Sequence, residues 1–330
     1  METQPHHHEA PTVRTIELDL LSRQTSIAAP LHGAATWLSR GIHIEEAGII
    51  LTRDRKAVGL HSTERHRLAL ARRAERLSTE IQLFLSEART FLGDAIVDAD
   101  TADNADNMED GTHDSDGEPD DEEGGSMEGS EIPCIPSSIL PLPSSLGQPT
   151  CEGYHIAHLA EQELLLRTGQ ANDALHAIRL TLVNKAILFR NDIRHAQGQA
   201  ANTRAWGKVK AADSSLRKHA AIYRKCRIAM VALGADSDTL GRYKELGAAD
   251  LRVTTSVLNP NGSGHRNDNL AWFWSMDIPK DMDEDNWMSD CKPICGIPQS
   301  ICCSLTVQFI GSTGCGQRRQ RTVGRRRWNW

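Results

Sequence analysis

The sequence predicts an all-α protein in which a helical hairpin and a bundle of long helices are separated by a disordered acidic linker. Three observations predict it. Apolar residues recur every three or four positions over long segments on both sides of the linker. Capping residues and glycines mark where these segments begin and end. A run of acidic residues lies between them, so we expect a hairpin at residues 34–93 and a bundle at residues 151–288.

Residues 1–33 carry only a weak apolar pattern, and we expect this N-terminus to be poorly ordered. Residues 1–9 are polar, without the apolar stretch of a secretory signal. His6, His7 and His8 could bind a metal weakly, but adjacent histidines in a polar terminus are more often incidental. We therefore expect no metal site there.

The hairpin is predicted from two apolar patterns joined by a short loop. Ile42, Ile49, Ile50 and Val58 mark the first helix, and Gly59 ends it. Ser62 and Thr63 then provide an N-cap for a longer helix that reaches Leu92. One face of that helix carries an apolar stripe with steps of four, three, four and three: Leu70, Ala74, Leu77, Ile81 and Phe84.

The linker at residues 94–150 is acidic first and proline-rich afterwards. Residues 94–131 hold 16 of the chain's 44 acidic residues and none of its 37 basic residues. Such a segment cannot bury enough apolar surface to offset its chain entropy, so we expect disorder. The rest of the chain is then basic, with an excess of about nine positive charges despite the overall charge of −7.

The bundle contains two long predicted helices, from near Ile156 and from Gln199 to Leu233, with Gly234 as the stop of the second. The first has a nearly heptad apolar seam over residues 164–193, which predicts coiled-coil-like packing and possible self-association. Among Trp272, Phe273 and Trp274, core packing is the better interpretation for two of the three rings.

Nucleic-acid binding has the best physical support among the functions that the residues allow. Residues 185–227 hold 11 Lys or Arg against only Asp192 and Asp213. A helix with one apolar seam and this charge excess can lay its polar face along phosphates. A solvated basic face that meets the acidic linker of its own chain is an equally open interpretation, because no base-reading motif accompanies the charge. The candidate nucleic-acid-binding residues are Lys185, Arg190, Arg194, Arg204, Lys208, Lys210, Arg217, Lys218, Arg224 and Lys225.

Catalytic and metal chemistry find little support in the sequence. There is no phosphate-binding glycine loop and no nucleophile elbow. Among the C-terminal cysteines, Cys291 and Cys295 could form one zinc-binding pair, but Cys302 and Cys303 are adjacent and poorly match the spaced second pair of zinc modules. No segment has 18 consecutive apolar residues. We expect no enzyme activity, no cofactor, no small-molecule substrate and no membrane span.

Five strings stand out in the second half of the sequence: RTGQANDALHAIR (167–179), TRAW (203–206), LGAD (233–236), RYKEL (242–246) and RNDNLAWFWSMD (266–277). Together they resemble the C-terminal region of the KDZ (Kyakuja–Dileera–Zisupton) transposases, which are abundant in fungal genomes. Trp37–Leu38, residues 44–47 (IEEA) and the following Arg-rich helix resemble the segment just upstream in the same family.

The resemblance implies a helical region without the metal-dependent nuclease core, which lies upstream in the family, so no catalytic residue carries over. We therefore expect a non-catalytic transposase remnant that associates with DNA or with itself, is intracellular and, if functional, nuclear. A helical protein-interaction adaptor and a decayed reading frame remain the alternatives.

The sequence departs from the family pattern after Ser289. We expect residues 289–330, rich in Cys and Arg, to be disordered. The segment is either an out-of-frame translation or a genuine basic tail, and the sequence leaves both open.

Overall fold

Helices make up nearly all the regular structure of the computed structural model, which describes residues 10–24, 33–58, 62–93, 140–253, 271–274 and 276. Within these residues there is no β-strand, so the all-α prediction is confirmed. The predicted acidic run at 94–131 and the predicted tail at 289–330 lie outside the described residues.

The predicted hairpin consists of α2 (Ala34–Lys56) and α3 (Glu64–Leu92). Thr63 caps α3, because its hydroxyl accepts a hydrogen bond from the His66 backbone N–H at 3.3 Å. The apolar stripe predicted on α3 is buried. Trp37 of α2 stacks on Phe84 of α3 with ring centroids 4.8 Å apart, which fixes the two helices face to face.

Two longer helices form the second antiparallel pair. They are α6 (Ala157–Ile187), which continues as a π-helical turn at Leu188–Ile193, and α7 (Gln199–Ala232). Gly234 ends α7 as predicted, with a left-handed φ of 73° that disfavours other residues. The predicted seam on α6 is largely buried within the chain, since Leu175, Ile178 and Leu182 share a core with α7. A second copy could use this seam only by displacing part of that core.

The N-terminus is the first point where the structure differs from our expectation. Residues 1–33 were expected to be poorly ordered, yet residues 13–24 form α1 (Val13–Gln24), which packs on α6. The physical reason lies on α6. Asp173 accepts a hydrogen bond from the Val13 backbone N–H at 3.1 Å, and Gly169 lacks the side chain that would collide with it. Periodicity within α1 could not reveal these distant partners.

The end of the linker is the second difference. Residues 94–150 were expected to be disordered, but the proline-rich end forms two short helices, α4 (Pro143–Leu146) and α5 (Gln148–Gly153). Leu140 and Leu142 between the prolines are buried in the core shared by α2, α3 and α6. Apolar residues therefore anchor a segment whose prolines indicated only an extended loop.

Among the described residues after α7, regular structure is limited to a short helix, α8 (Ser237–Arg242), and 3-10 turns at Ala249–Leu251 and Trp272–Trp274. Phe273 is fully buried, while the two flanking tryptophans are only partly buried. Arg179 of α6 donates from Nε to the Phe273 carbonyl at 3.1 Å and ties this turn to the bundle.

α6 belongs to both hydrophobic cores. Its first half, including Leu159 and Leu166, packs with α1, α2 and α3, and its second half packs with α7 and the segments after it. The hairpin and the bundle are therefore joined through α6.

Candidate nucleic-acid interface

Residues 183–217 form a two-helix arm at one end of the α6–α7 pair. The larger core of that pair extends only to Leu182 on α6 and Leu216 on α7. Beyond these residues the buried positions are small: Ala186, Ala205, Val209 and Ala212. Lys218 pairs with Asp54 of α2 at the base of the arm. The part of α7 in the arm is about 28 Å long at the rise of an α-helix.

The arm is strongly basic. It contains seven of the ten predicted nucleic-acid-binding residues and only two acids, Asp192 and Asp213. Both acids are neutralised across the arm, because Lys208 Nζ lies 2.7 Å from Asp192 and Lys185 Nζ lies 2.5 Å from Asp213. The structure thus brings most of the predicted residues together. It also shows that two of them, Lys185 and Lys208, form ion pairs between the two helices of the arm.

Four basic side chains in the arm have no such partner. Each is exposed and makes no ion pair or side-chain hydrogen bond with any residue that the structure describes: Arg190, Arg204, Lys210 and Arg217. Arg194 is also exposed and lies in the loop between the helices. Phosphates can bind Arg190, Arg204, Lys210 and Arg217 without first breaking an internal ion pair.

Three predicted residues lie outside the arm, against the body. Lys218 binds Asp54, Lys225 Nζ lies 3.6 Å from Glu45, and Arg224 Nε donates to the Leu246 carbonyl at 3.2 Å. These side chains stabilise the packing of α7 on its neighbours. The sequence shows that these three residues are basic, but it does not show the carboxylates and the carbonyl that face them in the fold.

The arm also carries an aromatic pair, which the charge pattern of the sequence does not reveal. Trp206 of α7 and Phe189 of the π-helical turn make an edge contact, with centroids 5.9 Å apart and ring planes at 84°. Trp206 remains 50% exposed. A π-helical turn is uncommon and is often found at functional sites. The signal that could have found the pair is an indole on the polar side of a predicted helix.

The other concentration of polar side chains is buried, where α2, α4 and α6 meet. We call it the Arg167 network, and it includes Arg167, Glu163, Gln170, Ser144, Glu45 and Glu46. Arg167 Nη1 donates to Glu45 at 2.6 Å and its Nε donates to Glu163 at 3.0 Å. Ser144 donates to Glu163 from both its backbone N–H and its hydroxyl.

Burial and charge set the electrostatics of this network. Burial alone would lower the pKa of Arg167, but the carboxylates of Glu163 and Glu45 raise it above its ordinary value, so the guanidinium is charged. Burial raises the pKa of Glu46 despite its hydrogen bond from Gln170. Arg167 and Glu163 have no exposed side-chain surface, so a substrate cannot reach them in this conformation. The geometry is that of a structural network.

The string at residues 167–179 lies at the centre of these contacts. Arg167 and Gln170 bind the two glutamates of α2, and Asp173 holds the start of α1. Asn172 donates to the Pro11 carbonyl at 2.9 Å and accepts from the Tyr243 hydroxyl at 2.9 Å. Arg179 also binds the Phe273 carbonyl, so five polar residues of the string join α6 to other segments and the string has a structural role.

Within the described residues, no group of three or more His, Cys, Asp or Glu side chains has an arrangement that could hold a metal ion. None of the helices there combines the length and the apolar character needed to cross a membrane.

Comparison of the sequence with protein-family models and with curated proteins, and of the structure with solved structures, finds no match.

Proposed function

We propose that the α6–α7 arm binds the phosphate backbone of nucleic acid, and that the chain is a non-catalytic helical module derived from a KDZ-type transposase. One observation carries the binding proposal. A protruding two-helix arm holds seven basic residues and two acids, both acids are paired internally, and four cations are unopposed.

The physical basis is the release of counterions. A cation that contacts a phosphate displaces a condensed counterion, so the logarithm of the affinity falls with the logarithm of the salt concentration by about 0.9 per duplex phosphate and 0.7 per single-strand phosphate. Four basic side chains of the arm are exposed and would break no ion pair with a described carboxylate when they bind phosphate: Arg190, Arg204, Lys210 and Arg217. Asp192 and Asp213 oppose phosphate weakly, since Lys208 and Lys185 neutralise them.

The transposase origin rests on the sequence strings alone. Its strongest string, at residues 167–179, occupies the contacts that hold α1, α2 and the segment after α7 onto α6. These contacts give the string a role in the fold. They say nothing about strand cleavage, because the residues that resemble the family lie outside its metal-dependent nuclease core. Association with DNA, and a nuclear location, belong to the proposal.

The experiment compares two variants of the full chain with equal loss of charge. Arg204, Lys210 and Arg217 are replaced by Gln in the first, and Arg65, Arg72 and Arg76 of α3 by Gln in the second. All six side chains are exposed on helices, and Gln keeps helix propensity. Binding of a fluorescent oligonucleotide is measured between 50 and 200 mM salt, on the order of the range over which phosphate contacts are lost.

The arm variant should bind at least tenfold more weakly at the lowest salt, and its salt slope should fall by about two to three. The α3 variant should stay within about threefold of the original chain, because it changes the net charge equally but leaves the arm intact. Equal losses in the two variants would show only a general charge effect and would contradict the proposal.

A helical interaction adaptor is the second candidate, because exposed apolar side chains lie on the opposite half of α7. Ile228 is 63% exposed and Val231 is 51% exposed, and their spacing of three places them on one face. Replacing both by Ser would abolish partner or self-association through this face and leave nucleic-acid binding unchanged. Sedimentation of the full chain before and after the change distinguishes self-association from a monomer.

A further inference from the structure

Trp206 lies on the basic arm, and only part of its aromatic surface packs against another side chain. Its contact with Phe189 is edge-to-face, with ring planes at 84°. Such a contact uses one face or one edge of the indole. Since Trp206 remains 50% exposed, a large part of the ring is open to solvent.

Trp206 shares one side of α7 with cationic residues. Trp206, Lys210, Asp213 and Arg217 follow each other in steps of four, three and four, which places them along one stripe of the helix. The only acid in this stripe, Asp213, is bound by Lys185. Lys210 and Arg217 make no ion pair with a described residue. The stripe therefore combines an open aromatic ring with two unopposed cations over about 16 Å.

We propose that this stripe makes the arm selective for single-stranded nucleic acid, with an unpaired base stacked on Trp206 and the backbone held by Lys210 and Arg217. The inference rests on the proposed function and adds the class of ligand. A duplex keeps its base faces stacked inside the helix and presents edges and phosphates. An unpaired base presents its face, and aromatic side chains flanked by cations are the usual platform for it.

The alternative occupant is an apolar side chain of a protein partner. The charge of the stripe favours the base, because the cations that lie beside Trp206 would have to be desolvated or paired by a partner protein. A nucleotide brings both the π-face and the anionic phosphate. The experiment separates the two, because a protein-binding ring would leave oligonucleotide affinity unchanged when it is replaced.

The test uses the full chain with two probes, a labelled oligothymidine and a hairpin duplex of the same number of phosphates, at one low salt concentration. Trp206→Leu keeps an apolar, helix-favouring side chain against Phe189 but removes the aromatic face, and Trp206→Phe keeps a smaller ring. Leu68→Ala is the control, because Leu68 is an equally exposed apolar residue, 51% accessible, on α3. Circular dichroism confirms that each variant keeps its helix content.

The original chain should bind the single strand more tightly than the duplex. Trp206→Leu should lose on the order of tenfold or more in single-strand affinity and less than about twofold for the duplex. Trp206→Phe should recover most of the single-strand affinity, and Leu68→Ala should change neither. Oligothymidine should also quench fluorescence in the original chain more than in Trp206→Phe.

Full single-strand affinity in Trp206→Leu overturns the inference, and so does an equal loss for both probes. The two proposals fail separately. If the arm variant Arg204/Lys210/Arg217→Gln loses both probes while Trp206→Leu loses neither, the arm binds phosphates but does not stack a base. If the original chain binds neither probe, the proposed function itself is wrong.

Discussion

Arg167 and Glu163 lie one turn apart on α6 and form an ion pair in which neither side chain has exposed surface, with Nε and Oε1 3.0 Å apart. A pair at this spacing would stabilise a solvated helix only slightly. Here both charges have left water, so each depends on the other and on Ser144 and Glu45 for its hydrogen bonds. The pair links α2, α4 and α6.

Arg167→Met should therefore destabilise the chain by about 3–5 kcal/mol, because it leaves the carboxylate of Glu163 buried without a cation and removes the closer of the two cations beside Glu45. Urea unfolding followed by circular dichroism measures the loss. Arg40→Met is the matched control, since Arg40 pairs with Glu87 at 2.7 Å but both side chains are more than a third exposed. It should cost at most about 1 kcal/mol. Equal losses for the two variants would show that burial does not make the stability of the chain depend more strongly on an ion pair.

Gly169→Ala should loosen α1 from the bundle. A Cβ at this position would lie 2.7 Å from the Val13 backbone nitrogen, and that backbone cannot move aside without losing its hydrogen bond to Asp173. We expect a loss of about 1–3 kcal/mol and faster amide hydrogen exchange in residues 13–24.

Gly207→Ala provides the control for the glycine prediction. Gly207 is a helical glycine on α7 with no atom within 4 Å of a built Cβ. The change should stabilise the chain by up to about 1 kcal/mol, because alanine is the better helix former. A stabilising Gly169→Ala would mean that α1 does not pack closely on α6 in solution.

The long helices were predictable because their signals are local. Apolar steps of three and four, the Thr63 cap and the Gly234 stop lie within the segments that they define. α1 could not be predicted with confidence, since it depends on Asp173 and Gly169, which lie about 160 positions away. Leu140 and Leu142 were obscured for the same reason, because their burial depends on α2 and α6.

The charge of the candidate site was predictable, but its geometry was not. The sequence identifies Lys218, Lys225 and Arg224 as basic. In the structure Lys218 pairs with Asp54, Lys225 pairs with Glu45, and Arg224 donates a hydrogen bond to the Leu246 carbonyl. The position of Trp206 beside Phe189 across the arm also requires the antiparallel pairing of α6 and α7. The number of charges can be read from the sequence, but whether an opposite charge faces each of them depends on the fold.

The two described cysteines should resist alkylation in the native chain. Burial raises the pKa of the Cys226 thiol to about 12 and that of Cys151 to about 11, so neither supplies reactive thiolate at neutral pH. Cys226 also donates to the Arg167 carbonyl at 3.0 Å. Mass spectrometry after iodoacetamide treatment should find both unlabelled, and both labelled when urea is present. Native labelling of Cys226 would show that α6 and α7 separate readily.

Asp54 should make stability depend on pH at the acid end. Burial tends to raise its pKa, but hydrogen bonds from Lys218 and Arg73 outweigh that effect and hold the pKa below the ordinary 3.8. Its contribution is therefore complete above pH 3.8 and is lost as the pH falls through the lower folded value. Asp54→Asn should be less stable than the original chain at neutral pH, and the difference should shrink below that point in urea titrations.

Glu46 should make stability depend on pH in the opposite direction, so measuring both residues tests the direction of both pKa shifts. Burial raises its pKa above the ordinary 4.5, so the folded chain holds this proton more tightly than the unfolded chain does. Stability is then lost as the pH rises from 4.5 through the folded value. Glu46→Gln keeps an oxygen to accept from Gln170, whose Nε2 lies 2.8 Å from Glu46 Oε1, and removes the titration. Its stability relative to the original chain should therefore increase with pH over that window, and a constant difference would place Glu46 in water rather than beside Gln170.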